Sequence, residues 1–322
     1  MSLSTRSRDC WLPGVLRRQP GFSGGLRDWL ASCQWDPEAG MTKKKVSMAI
    51  HSTDAFADAC VNDAIRLASV AFESAAAREP RAGNASACAW QFIKYYYAGY
   101  FAANALMRLC GHASTNLGAV DCTSINEQAA LYSVGGHDDR NKLAPGVFNV
   151  QFNGGRTPHV MLWSASGKGG AHVQFWSGFQ KFLVSLRQDI RASTAPPAER
   201  DAALAELAAL TAELQRDGNS NGAWLSEMRN SVNYRFEHGL WYPYENSSAD
   251  AETLLDAFSR GAARSTPIVG MATALPSPIR AARSCAFLLS WLKDSMEIIE
   301  GVSRGRKKTL IARGVLSFAA NV

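Results

Sequence analysis

The 322-residue chain contains no CxxC pair, no internal repeat and no window approaching the about 18 apolar residues of a membrane-spanning helix. Each absence removes a class. Seven cysteines (10, 33, 60, 88, 110, 122 and 285) make an odd set without metal-ligand spacing. Cys60, Cys88, Cys110 and Cys285 lie in helical, apolar contexts, the pattern of free buried thiols in a reducing compartment. The first residues interleave Arg and Asp with short apolar groups and so lack the continuous apolar stretch of a signal peptide. The expected setting is cytoplasmic, without membrane contact. Charge of either sign is also in short supply. The net +6 is concentrated in Lys43-Lys44-Lys45 and in the Arg304 to Lys308 run, and permits nucleic-acid contact without requiring it. Hydrophobic residues make up 47% of the chain, ample for a core and too many for a disordered protein.

Residues 1–45 show neither helical nor strand period and read as a disordered leader, with Met41 resembling a second start of translation. Gly21-Phe22-Ser23-Gly24-Gly25 formally matches a nucleophile elbow but has no strand before it and no helix after it. From residue 46 on, the pattern predicts a single, mainly α domain. Helices are expected from Asp54 to about Glu79, Ala89 to Leu109, Ser124 to Val134, Val173 to Ile190, Ala198 to Arg216, Ala249 to Arg260 and Ile279 to Ile299, with a short basic helix at the end. The Ala89–Leu109 segment is apolar on nearly every side and belongs at the centre of its bundle. Its Tyr95-Tyr96-Tyr97 and Tyr100 read as core. A small β-hairpin insertion is predicted near 147–163, from two alternating runs around Asn153-Gly154-Gly155.

For chemistry, Cys110, His112, Cys122, His137 and Asp138 share one region, but their spacing fits no metal-ligand pattern. Gly167-Lys168-Gly169-Gly170 lacks the earlier glycine and the Ser or Thr of a phosphate loop. The segment Trp224 to Tyr244 stands out instead. It is expected to enter a helix behind Asn219, Ser220 and Asn221 and to end at Gly239. Arg229, Asn233 and Glu237 would form one stripe, with Asn230 and Tyr234 beside it. Asparagine is a poor helix former, so local propensity is overridden here. The stripe is either a functional site or a buried network tying this helix to its neighbours.

The aromatic helix Ala89–Leu109, followed downstream by Met228-Arg229-Asn230-Ser231-Val232-Asn233-Tyr234, resembles the HEPN superfamily. That resemblance implies a HEPN-like helical bundle, often dimeric, and in many members a metal-independent ribonuclease of toxin–antitoxin or anti-phage systems. The family motif is Arg, then a polar residue, then His after four to six intervening positions. By resemblance Arg229 and Asn230 take the first two positions and Tyr234 stands where the histidine is expected. His238 lies too far on, about 180° from Arg229 on an unbroken helix. The resemblance then implies Arg229, Asn230, Tyr234 and His238 as catalytic residues, with Asn233 and Arg235 touching substrate. It implies no metal and no cofactor, RNA as substrate, a homodimer, and a protein partner from the same system. The alternative is a non-catalytic HEPN-like bundle that binds RNA, a nucleotide or a protein.

Overall fold

Residues 2–16, 21–76, 88–132, 141–165, 169–262, 268–269 and 275–302 are described in a computed structural model. His137, Asp138, Lys168 and the basic segment after residue 302 lie outside them. In chain order come α1 (Leu3–Ser7), α2 (Leu26–Ala31), β1 (Trp35–Pro37), β2 (Lys45–Ile50), α3 (Thr53–Ala76) and α4 (Cys88–Leu109). These are followed by β3 (His112–Leu117), α5 (Ala119–Leu131), β4 (Gly146–Asn153), β5 (His159–Ser164), α6 (Ala171–Ala192), α7 (Pro197–Leu214), α8 (Trp224–Tyr234), α9 (Ala251–Ala262) and α10 (Ser277–Val302). The chain is mainly helical, as its periodicity predicts.

The predicted hairpin is present as β4 and β5, but it is the centre of a larger object. The five strands form one antiparallel sheet in the order β1-β2-β5-β4-β3. Val46, Met48, Ala113, Phe148, Val150, Val160 and Leu162 alternate onto one buried face. Strands β1, β2 and β3 are short and carry polar residues on the other face, so their apolar half-pattern is too brief to register as a strand in sequence.

The expected disordered leader is a correction. Its elements dock on the helices through hydrogen bonds and buried aromatic rings rather than through a period of their own. Asp58 of α3 accepts from the Gly21 and Phe22 amides at 2.6 and 3.0 Å, and Asn62 donates to the Phe22 and Gly24 carbonyls. The Leu12 amide donates to the Leu109 carbonyl at 2.8 Å. Ser4 of α1 donates to the Trp291 carbonyl of α10 at 2.8 Å. Trp29 and Trp35 are fully buried. The Gly21–Gly25 segment is thus a loop clamped by α3; contrary to expectation a helix, α2, does follow it, but no strand precedes it among the described residues.

Helix α4 packs against α3, α9 and α10. Its Tyr95 ring stacks on Phe258 of α9 with centroids 3.9 Å apart. Gly99 lets α10 come close: a Cβ there would sit 2.7 Å from the Cys285 Cβ and 2.8 Å from its Cα. On the far side of α10, Arg280 is 2% exposed and makes a two-pronged ion pair with Glu213 of α7, the Nε reaching Oε2 at 3.1 Å. All seven cysteines are free.

Two measurements test this packing. Gly99→Ala should lower stability by about 1–3 kcal/mol through the forced shift of α10. Glu213→Ala should cost about 3–5 kcal/mol in urea unfolding because it strands a buried guanidinium, while Glu213→Leu combined with Arg280→Met should recover most of the loss. Equal losses in the single and double variants would remove the ion pair from this account.

Candidate functional site

Helix α8 is shorter at both ends than its sequence predicts. It begins at Trp224, whose indole donates to Asp217 at 2.8 Å, and no side chain among Asn219, Ser220 and Asn221 caps it. It stops at Tyr234 because Phe236 and His238 take left-handed backbone angles, φ 56° and 70°. The Trp241 indole donates to the Val232 carbonyl at 2.7 Å and so satisfies one of the acceptors that the broken helix leaves open. The expected stripe therefore loses Glu237, which falls beyond the break.

Arg229, Asn230 and Tyr234 are brought together. The Arg229 Nη1 donates to Asn230 Oδ1 at 3.1 Å and to Tyr234 Oη at 3.0 Å, and its guanidinium lies 4.9 Å from the centre of the Tyr234 ring. Tyr234 is itself largely exposed, so the pair sits at the surface. Nη2 donates to Tyr97 Oη of α4 at 3.2 Å, and Nε is buried without a partner. Three of the five N–H groups are thus taken, all by neutral oxygens. Among the described residues no carboxylate lies within ion-pairing distance of Arg229. Burial works against its charge, and the hydrogen bonds it donates to Tyr97 and Tyr234 outweigh that effect.

The other predicted residues are placed differently. Asn233 is half-buried and makes no side-chain hydrogen bond among the described residues. Arg235 is held by Glu227 at 2.6 Å and by Glu237 at 2.9 Å on the exposed side, which neutralises its charge locally. His238 follows the turn; its carbonyl accepts from the Ser248 amide at 3.1 Å, and none of Arg229's hydrogen bonds reaches it. Burial lowers the His238 pKa, and the neighbouring Glu237 and Arg235 charges largely oppose each other.

A different histidine meets the Arg229 group. His172, in the first turn of α6, has its ring 5.8 Å from that of Tyr97 and 4.9 Å from that of Tyr100. Its Nδ1 is 2.8 Å from Tyr96 Oη, which also accepts from the Trp176 indole at 3.1 Å. Burial first, and then the charge of Arg229, push the His172 pKa below its ordinary value. Burial raises that of Tyr96, so its hydroxyl stays protonated; its oxygen can accept from an Nδ1–H, the tautomer that leaves the imidazole lone pair free on Nε2. In the sequence the tyrosines read as core, and His172 belongs to no motif. The available signal is the spacing of His172, Phe175 and Trp176, which sets the imidazole on the buried aromatic face of α6.

Among the described residues, no three His, Cys, Asp or Glu side chains group in a way that could hold a metal ion, and no helix is long and apolar enough to cross a membrane. His112 lies on β3, where burial lowers its pKa from 6.5 to about 4. Because the unfolded chain binds that proton more readily, His112 favours the fold above pH 6.5 and this contribution is lost as pH falls toward 4. The difference is of order 3 kcal/mol. Urea midpoints measured across this range should fall less steeply for His112→Gln than for the wild type, and parallel curves would remove His112 from the acid response. No protein-family model, no curated protein and no solved structure matches the chain.

Proposed function

We propose that the chain is a HEPN-like, metal-independent endoribonuclease in which Arg229 holds the scissile phosphate and His172 takes the proton of the attacking 2′-hydroxyl. One observation carries the reading: a half-buried arginine, bonded only to neutral oxygens, stands beside an imidazole kept unprotonated by its surroundings. A guanidinium in that condition suits an anion, and a neutral imidazole suits a general base near pH 7. His172 takes the place of the motif histidine that α8 lacks. Attack of the 2′-oxygen on phosphorus would give a 2′,3′-cyclic phosphate and release the 5′-oxygen, which takes a proton from the exposed Tyr234 hydroxyl or from water. Asn230 orients the guanidinium. The homodimer, the partner protein and the anti-phage setting enter only through the family resemblance.

The absent motif histidine favours the second reading, a non-catalytic bundle that binds RNA through Arg229. A cleavage assay with total RNA and tRNA separates the two. Wild-type cleavage should persist in EDTA, fall about 100-fold or more in Arg229→Ala, and fall about 100- to 10,000-fold in His172→Ala. Since the His172 pKa is lowered, cleavage should hold level from neutral pH down past 6.5 and decline only as the imidazole protonates. In Arg229→Ala the His172 titration followed by NMR should move upward. Undiminished cleavage by Arg229→Ala sinks the proposal, and RNA binding without cleavage by the wild type transfers the conclusion to the second reading.

A further inference from the structure

The sheet face turned away from the core is partly covered by α6, and polar side chains of the sheet stand in this contact beside the ring of Phe182. Alternation along β4 sends Phe148 and Val150 to the core and Asn149, Gln151 and Asn153 to the other face. Amides are poor strand formers, and a sheet face beneath a helix is ordinarily apolar. Helix α6 meets them with Gly178, where a Cβ would stand 2.7 Å from Asn149 Oδ1, and further along with Ser185 and Asp189.

Several of these polar ends have no protein partner. Asn149 is 6% exposed and its Oδ1 is unpaired, as is the buried Nδ2 of Asn153. The side chains of Gln151 and Ser185 make no hydrogen bond among the described residues. Native structures leave few buried polar groups unsatisfied, so the two buried ones, Asn149 Oδ1 and Asn153 Nδ2, call for a reason, and the half-buried Gln151 and Ser185 stand beside them. All four border one crevice. Its outer part, of about 280 Å³, is lined by His112, Gln151, Asn153, Ser185 and Asp189. A smaller part of about 50 Å³ shares His112, Gln151 and Ser185 and reaches Asn149.

We propose that this crevice binds an uncharged, polyhydroxylated small molecule, a monosaccharide or cyclic polyol. Each hydroxyl both donates and accepts, as do the amides that line the site, and the open groups include an acceptor on Asn149 and a donor on Asn153. Burial holds His112 neutral near pH 7, and Asp189 is the one carboxylate on the outer wall among the described residues, which makes the site unsuited to an anion. Polar atoms make up most of the outer wall, and the rings of Trp11 and Phe152 beside them can pack against the C–H faces of a sugar. The site stands apart from Arg229 and does not depend on the nuclease reading.

Isothermal titration of the full chain with D-ribose, D-glucose and myo-inositol, beside free uracil and adenine, tests this. Saturable binding of at least one polyol is expected, weakened about tenfold or more in Gln151→Ala and in Ser185→Ala. It should be unchanged in Arg229→Ala, whatever that variant does to RNA. Near-UV circular dichroism checks that each variant is folded, and Gln151→Glu, of equal size, serves if the alanine variant is not. Absence of saturable binding at millimolar polyol, binding of the free bases alone, or binding indifferent to both crevice substitutions would overturn the proposal.

Discussion

The fold depends on burying α4 on nearly every side. Seventeen of its residues are buried, and a helix with so little polar surface has no stable place except inside a bundle. That requirement draws α3, α9 and α10 around it and makes the Gly99–Cys285 approach necessary. It also sets the location of the candidate site. Where α4 comes nearest the surface its face turns from alanine to tyrosine, and the hydroxyls of Tyr96 and Tyr97 are what α6 and α8 meet there. The site is the rim of the core, where buried rings end in polar atoms.

At that rim the two sequence readings of the α8 stripe turn out not to exclude each other. Arg229 does tie its helix to α4, as a structural network would. Yet the tie uses only neutral oxygens and leaves the charge of the guanidinium uncompensated. A network built for stability alone would more economically place a carboxylate there, as the molecule does for Arg280 with Glu213. The contrast between these two arginines, one ion-paired deep in the helical layer and one unpaired near solvent, distinguishes a structural cation from a candidate ligand-holding one.

The long helices were legible because their apolar period runs over several turns; α4, α6, α7 and α10 lie within a few residues of their predicted bounds. The hairpin was legible from β4 and β5 because both alternate for six residues or more. The N-terminal elements were not, since Asp58 and Asn62, far along the chain, supply the bonds that fix them. Within the site, Arg229, Asn230 and Tyr234 were legible from spacing on one helix. His172 was not, because its partners come from α4 and α8 and no local pattern joins three helices. The end of α8 was misread for a related reason: Gly239 offers an obvious stop, but Phe236 turns left-handed first, and a tryptophan seven residues beyond Tyr234 satisfies the carbonyl of Val232.

The docking of α1 on α10 carries a consequence for the order of folding. Ser4 and Trp291 are separated by 287 positions, and Ser4 also accepts from Ser295 at 3.0 Å, so α1 has its resting place on a helix far along the chain. Arg6 of α1 also pairs with Glu206 of α7 at 3.4 Å, so α1 docks through contacts that span 200 positions or more, and contacts of such separation form late because the loop must close first.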